Sequence, residues 1–130
     1  MTKLIRKQVF SGTNWEETVG YSRAIKVGNI IEVAGTTAVD EDDLVHGIGS
    51  EYEQTKFIIK KAEKALKELG SSLADVVRTR IYTTDISKWE EIGKAHGEFF
   101  RDIKPVATMV EVKGLINPEV LVEIEFSAIH

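Results

Sequence analysis

PVATMVEV at positions 105–112 and, after a turn, LVEIEFS at 121–127 decide how this chain is read. Successive side chains on a strand point to opposite faces. Val120, Val122, Ile124 and Phe126 therefore form one apolar row, and Leu121, Glu123, Glu125 and Ser127 form the row behind it. In the earlier run Thr108, Val110 and Val112 oppose Ala107, Met109 and Glu111, and Gly114, Asn117 and Pro118 supply the turn between the runs. One side of the pair suits a core. The other places carboxylates among apolar neighbours, and that is the puzzle.

Working back towards the start, positions 4–10 read as a first strand, broken by Ser11-Gly12-Thr13-Asn14, and positions 15–19 read as loop. Tyr21, Arg23, Ile25 and Val27 share one strand face. Gly28-Asn29 then leads directly into the strand-like run at 30–35, a hairpin signal because glycine suits the first central position of a tight turn. Positions 36–49 read as a polar loop whose acidic run at 40–43 lacks the ligand periodicity of a calcium loop. Ser50 and Glu53 form a capping box that opens a long helix, with Tyr52, Thr55, Ile59, Ala62, Leu66 and Leu69 on its buried stripe and Gly70 at its stop. A strand at 76–83 presents Val77, Thr79, Ile81 and Thr83 on one face, with Arg78, Arg80 and Tyr82 on the other. Ser87 and Glu90 repeat the capping signature ahead of a second amphipathic helix, whose stripe is Trp89, Ile92, His96, Phe99 and Ile103 and which ends at Lys104-Pro105.

The order β-β-β-α-β-α-β-β predicts an α+β sandwich, two helices on one face of a mixed sheet, in a single domain spanning residues 1–130. A chain of 130 residues can bury roughly two-thirds of its unfolded surface in one core. Net charge −4, with no basic run, argues against a nucleic-acid partner. The lack of cysteine removes disulfides and thiol chemistry. No segment approaches the roughly 20 apolar residues of a membrane span, and the start has no signal-peptide core, so no membrane is involved and the expectation is cytoplasmic. His46, His96 and His130 have no metal-ligand spacing, so no metal is expected.

The helix-free face gathers Arg78, Arg80, Tyr82, Met109, Glu111, Leu121, Glu123 and Glu125. Such a mixture is most simply covered by copies of the same chain, which predicts an oligomer with paired charges at its interface.

The residues at this point resemble the Rid family, the reactive-intermediate (enamine/imine) deaminases of YjgF type. The resemblance rests on Gly20-Tyr21, Val27-Gly28-Asn29, Ala34-Gly35, VVRTRIYTTDI, GEFF, PVATMVEV and LVEIE, in the family's order and spacing. It implies a chorismate mutase-like fold assembled as a homotrimer, with small-molecule clefts between subunits. It also implies that Glu123, the first glutamate of LVEIE, positions the attacking water, that Tyr21 lines the cleft, and that no cofactor is needed. A partly desolvated carboxylate suits that task, because its raised pKa lets it hold or activate water near neutral pH.

The departures from the family pattern carry as much meaning. Ala107 stands where the deaminating branch has an arginine that grips a substrate carboxylate, and alanine cannot form that fork. Gly93 replaces the family's asparagine, and His96 a nearby aromatic. Arg23, two positions from Tyr21 on one strand face, is the candidate replacement anchor, and the backbone at Ala107 and Thr108 would shape the pocket. Two readings remain open: a hydrolase for a small enamine or imine, and a non-catalytic small-molecule-binding or regulatory protein on the same scaffold. RNA cleavage ranks last.

Overall fold

Nine main elements follow one another in a computed structural model that describes residues 3–130: β1 (Arg6–Val9), α1 (Asn14–Val19), β2 (Ala24–Val27), β3 (Ile30–Thr36), α2 (Glu51–Glu68), β4 (Val76–Thr83), α3 (Trp89–Phe100), β5 (Val106–Glu111) and β6 (Val122–Ile129). The strands form one sheet in the order β1-β2-β3-β6-β4-β5. Only β4 and β5 are parallel, and α3 is the crossover that such a pair requires. The mixed α+β sheet expected from the sequence is present.

The long helix α2 begins as its cap dictates. Ser50 Oγ accepts from the Glu53 N–H at 3.1 Å, although the return half of the capping box is replaced by Ser50 N–H donating to Gly47 O at 2.9 Å. Thr55, Ile58, Ile59, Ala62, Ala65 and Leu66 form its buried stripe against the sheet. Full burial of Ile58, Ile59 and Leu66 is worth about 1.5–3 kcal/mol each. Gly70, at φ +78°, takes the left-handed turn that ends the helix. Sequence periodicity missed Gln54, which is fully buried. Its amide donates to Gly47 O and Glu119 O, and its carbonyl accepts from the Leu121 N–H, so it ties the start of α2 to the approach to β6.

Five local readings need correction. Residues 15–19 belong to the helix α1 rather than a loop; six residues are too few to show a helical period. The first strand is only Arg6–Val9, shorter than the 4–10 expected. Ser87 does not cap α3. Asp85 accepts from Ser87 N–H and Oγ to cap a single 3₁₀ turn (Ile86–Lys88), so α3 starts at Trp89, which is exposed, and its buried residues are Ile92, Ala95 and Phe100. A β-bulge between the Val76↔Ala128 and Arg78↔Ser127 pairs sends Val76 into the core and leaves Val77 outside. The parallel register Ile81↔Met109 puts Met109 and Glu111 on the helix side, and Leu121 precedes β6 and packs against the core, so none of the three belongs to the open face.

Replacing Gln54 by leucine strands the Glu119 and Gly47 carbonyls and the Leu121 N–H. Each unpaired buried group costs about 1–3 kcal/mol, and urea unfolding of Gln54→Leu should show a loss of about 2 kcal/mol or more.

Candidate functional site

Strand β6 lies between β3 and β4, and its side chains alternate strictly between the core and the open face. Val122, Ile124, Phe126 and Ala128 are buried under the helices; Glu123, Glu125 and Ser127 are half-buried on the far side. Glu125 accepts from Tyr82 Oη and Ser127 Oγ donates to Glu32. Among the described residues nothing donates a hydrogen bond to the Glu123 carboxylate. Desolvation raises its pKa, the like charge of Glu125 adds to the effect, and Arg23 opposes it.

One wall of the Glu123 site is backbone. A Cβ on Gly35 would lie 2.6 Å from Glu123 Oε2, so only glycine leaves the carboxylate where it is. Arg23 closes the same corner: its Nη2 donates to Gly35 O at 2.7 Å, and its guanidinium lies 5.9 Å from the centre of the Tyr21 ring. Tyr21 is held by the end of α1, where Gly20 turns left-handed at φ +89° and the Tyr21 N–H donates to Glu16 O at 3.0 Å. Two of the residues singled out in the sequence, Glu123 and Arg23, therefore meet at Gly35, and a third, Tyr21, lies beside Arg23. A shallow concavity of about 560 Å³ next to them is lined by Tyr21, Ala34, Arg80 and Glu125. Glycine inside a strand run was the available signal for Gly35.

The other two candidates lie elsewhere in the same chain. Ala107 pairs with Thr79 and faces the helix side of the edge strand β5, opposite to Glu123. Thr108 pairs with Arg80, in the row of Glu125 rather than that of Glu123. Both are exposed. No ion-pair network joins Arg78, Arg80, Glu111, Glu123 and Glu125 among the described residues, and Glu111 instead accepts from the Ile86 N–H at 3.0 Å. His96 lies 2.9 Å from Thr79 Oγ1 and against the Phe100 ring, and burial lowers its pKa, which keeps it neutral in a packing role. The described residues contain no cluster of three metal-ligating side chains and no helix long and apolar enough to cross a membrane.

A mixed six-stranded sheet with helices on one face and a half-buried carboxylate against a glycine backbone on the other defines an α+β sandwich. Residues 13–130 match the family described as Endoribonuclease L-PSP, and the chain belongs to this family, the Rid or YjgF family. Among solved structures, a Mycobacterium tuberculosis member of the YjgF/YER057c/UK114 family is 47% identical, with a TM-score of 0.89 over 97% of this chain and 100% of that one. An uncharacterised protein of Streptomyces coelicolor is 39% identical over 98% of this chain and 95% of its own length. The 3-aminoacrylate deaminase RutC of Acinetobacter baylyi is 32% identical over 80% of this chain and 82% of its own.

The Glu123 carboxyl should titrate above the usual glutamate range in a ¹³C-detected pH series. Glu125→Gln should lower that midpoint by removing the like charge, and Arg23→Met should raise it. Because the folded-state pKa is raised, the stability this group contributes is complete below its unfolded pKa and is lost as pH rises through the folded one. Glu123→Gln should therefore gain stability relative to wild type across that window in paired denaturation curves.

Proposed function

We propose that the chain acts as a homotrimer whose intersubunit clefts hydrolyse a small enamine or imine to a carbonyl product and ammonia, with no cofactor. The observation that carries this reading is the Glu123 carboxylate, half-buried, free of protein donors and facing the Gly35 backbone beside Tyr21 and Arg23. In the proposed sequence an enamine first takes a proton on carbon to give the iminium ion, the protonated form of the imine. Glu123 then accepts a proton from a water molecule as the oxygen attacks the imine carbon. The resulting carbinolamine receives that proton on nitrogen, the C–N bond breaks as ammonia leaves, and the hydroxyl oxygen releases its proton as the carbonyl forms, which returns the proton taken up at carbon. One water is consumed for each ammonia released. A carboxylate with a raised pKa serves both as acceptor and as donor.

Assembly supports the same reading. The open face and its edge expose Val77, Val106, Val110 and Ile129, which a second copy would cover. In one chain Ala107 and Glu123 lie on opposite faces, so only a neighbour's β5 edge can bring Ala107 and Thr108 to the cleft. Relatedness to a deaminase adds weight. With alanine at position 107, a substrate carboxylate would find its cation in Arg23, which keeps N–H groups beyond the one given to Gly35, and the substrate need not be an amino-acid derivative.

A non-catalytic small-molecule-binding or regulatory protein is the second reading, and the observation that favours it is Ala107 itself. The endoribonuclease description of the family is not carried to this chain. Its net charge is −4, and His46, His96 and His130 are engaged with Asp40, Thr79 and Asp75, respectively.

Light scattering should report three subunits; a stable monomer removes the cleft. Ammonia release from freshly generated imines, with and without a carboxylate, should be accelerated by wild type and fall by about 10²–10⁴-fold in Glu123→Ala. A folded trimer that accelerates none of these imines is the binding protein of the second reading.

A further inference from the structure

On the helix side of the sheet edge, away from Glu123, α2 and the 36–49 loop border an open cavity of about 610 Å³. Val9, Phe10, Val39 and Phe57 give it apolar walls, and four cations line it as well: Lys60 and Lys64, which are exposed, and Arg23 and Lys61, which are not. Arg23 and Lys61 are both half-buried. Arg23 Nε is buried and has no hydrogen-bond partner, and Lys61 Nζ has one partner, Val39 O at 2.9 Å. Neither forms an ion pair among the described residues.

Buried charges are ordinarily paired, because removing an ion from water is costly unless an opposite charge and hydrogen bonds replace its hydration. Here the two carboxylates whose charge acts on Lys61, Glu16 and Asp40, are committed elsewhere. Both Glu16 oxygens accept from Ser11, one from its N–H and one from its hydroxyl. Asp40 Oδ1 accepts from the Asp42 and Leu44 N–H groups, and its Oδ2 is bonded to His46 Nε2 at 2.6 Å. Burial lowers the pKa of Lys61, and the Arg23 charge lowers it further, although Glu16 and Asp40 act in the opposite direction. No carboxylate comes within ion-pairing distance of either cation among the described residues, and the one donor-free carboxylate whose charge acts on Arg23, Glu123, does so from the other face of the sheet.

We propose that this cavity is a second ligand site, separate from the Glu123 cleft, and that it takes a small organic monocarboxylate. The carboxylate would lie between Arg23 and Lys61, and its aryl or alkyl body against Phe10 and Phe57. A volume of this size suits a small organic ligand. A monoanion fits better than a phosphate dianion because Asp40, Glu41, Asp42 and Glu68 also line the cavity and equal its four cations in number, so a second negative charge gains little. The bidentate fork of Arg23 and the point charge of Lys61 supply complementary donors for the two carboxylate oxygens.

The test is calorimetric titration of the full-length protein with phenylacetate, phenylphosphate and the neutral isostere phenylacetamide. Phenylacetate should bind saturably, ahead of the other two. Lys61→Met should weaken it by about tenfold or more, the loss expected for one charge-assisted hydrogen bond, while Lys61→Arg keeps most of the affinity. The exposed-site control Lys67→Gln should leave it unchanged, and Glu123→Ala should not weaken it. Amide shifts on binding should centre on Val39 and Phe57. The proposal is overturned if no saturable binding is seen at millimolar phenylacetate, if phenylphosphate binds more tightly, or if folded Lys61→Met binds as wild type does. Loss of binding in Glu123→Ala, with Lys61→Met unaffected, would place the anion in the other cleft and also sink it. None of these readouts depends on imine hydrolysis, so the two proposals fail separately.

Discussion

Everything about the Glu123 site follows from strand β6 having neighbours on both edges and helices on only one face. Pairing with β3 and β4 leaves its backbone no freedom to slip, because a one-residue shift would carry Val122, Ile124 and Phe126 out of the core. The same constraint holds Glu123 and Glu125 half out of water on the far side, side by side with like charge. A carboxylate on a loop could turn towards solvent or find a donor. On a central strand it cannot, and its proton affinity is set by the sheet.

The alternation of LVEIEFS and the long α2 stripe were legible because both repeat over several periods against one core. The hairpin at Gly28-Asn29 was legible because turn chemistry is local; Gly28 carries the positive φ, +59°, that such a turn requires. What escaped the sequence is what depends on partners. The face of β5 that meets the helices is fixed by pairing with β4, and both faces of VATMVE are mixed, so no pattern announces that Met109 points inwards. The bulge at Val77 reverses one residue of β4 for the same reason. Gln54 looks like a polar position on an amphipathic helix until its three backbone partners, two of them more than sixty residues away in sequence, are in place.

The candidate site divides along the same line. Tyr21, Arg23 and Glu123 could be named from residue type and motif, and they converge because β2, β3 and β6 are consecutive in the sheet. Gly35 could not be assigned its role from the sequence, since its function is to be absent from the volume that Glu123 occupies. Ala107 and Thr108 were named from the motif as well, yet one chain leaves them apart from Glu123. Arg23 acquires a second setting that no motif suggested, as the residue shared between the Gly35 corner and the cavity under α2.

The sheet order also has a consequence for how the chain is made. β6 is synthesised after β1 to β5, yet it sits between β3 and β4 and joins two blocks, β1-β2-β3 and β4-β5, that share no strand pairing without it. During translation each block presents an unpaired inner edge, β3 on one side and β4 on the other, until residues 122–129 leave the ribosome. Open edges of this kind are templates for wrong pairing with other chains. The interval between synthesis of Thr83 and of Ile129 is therefore when a nascent chain is most exposed to aggregation, and insertion of one strand closes both edges at once.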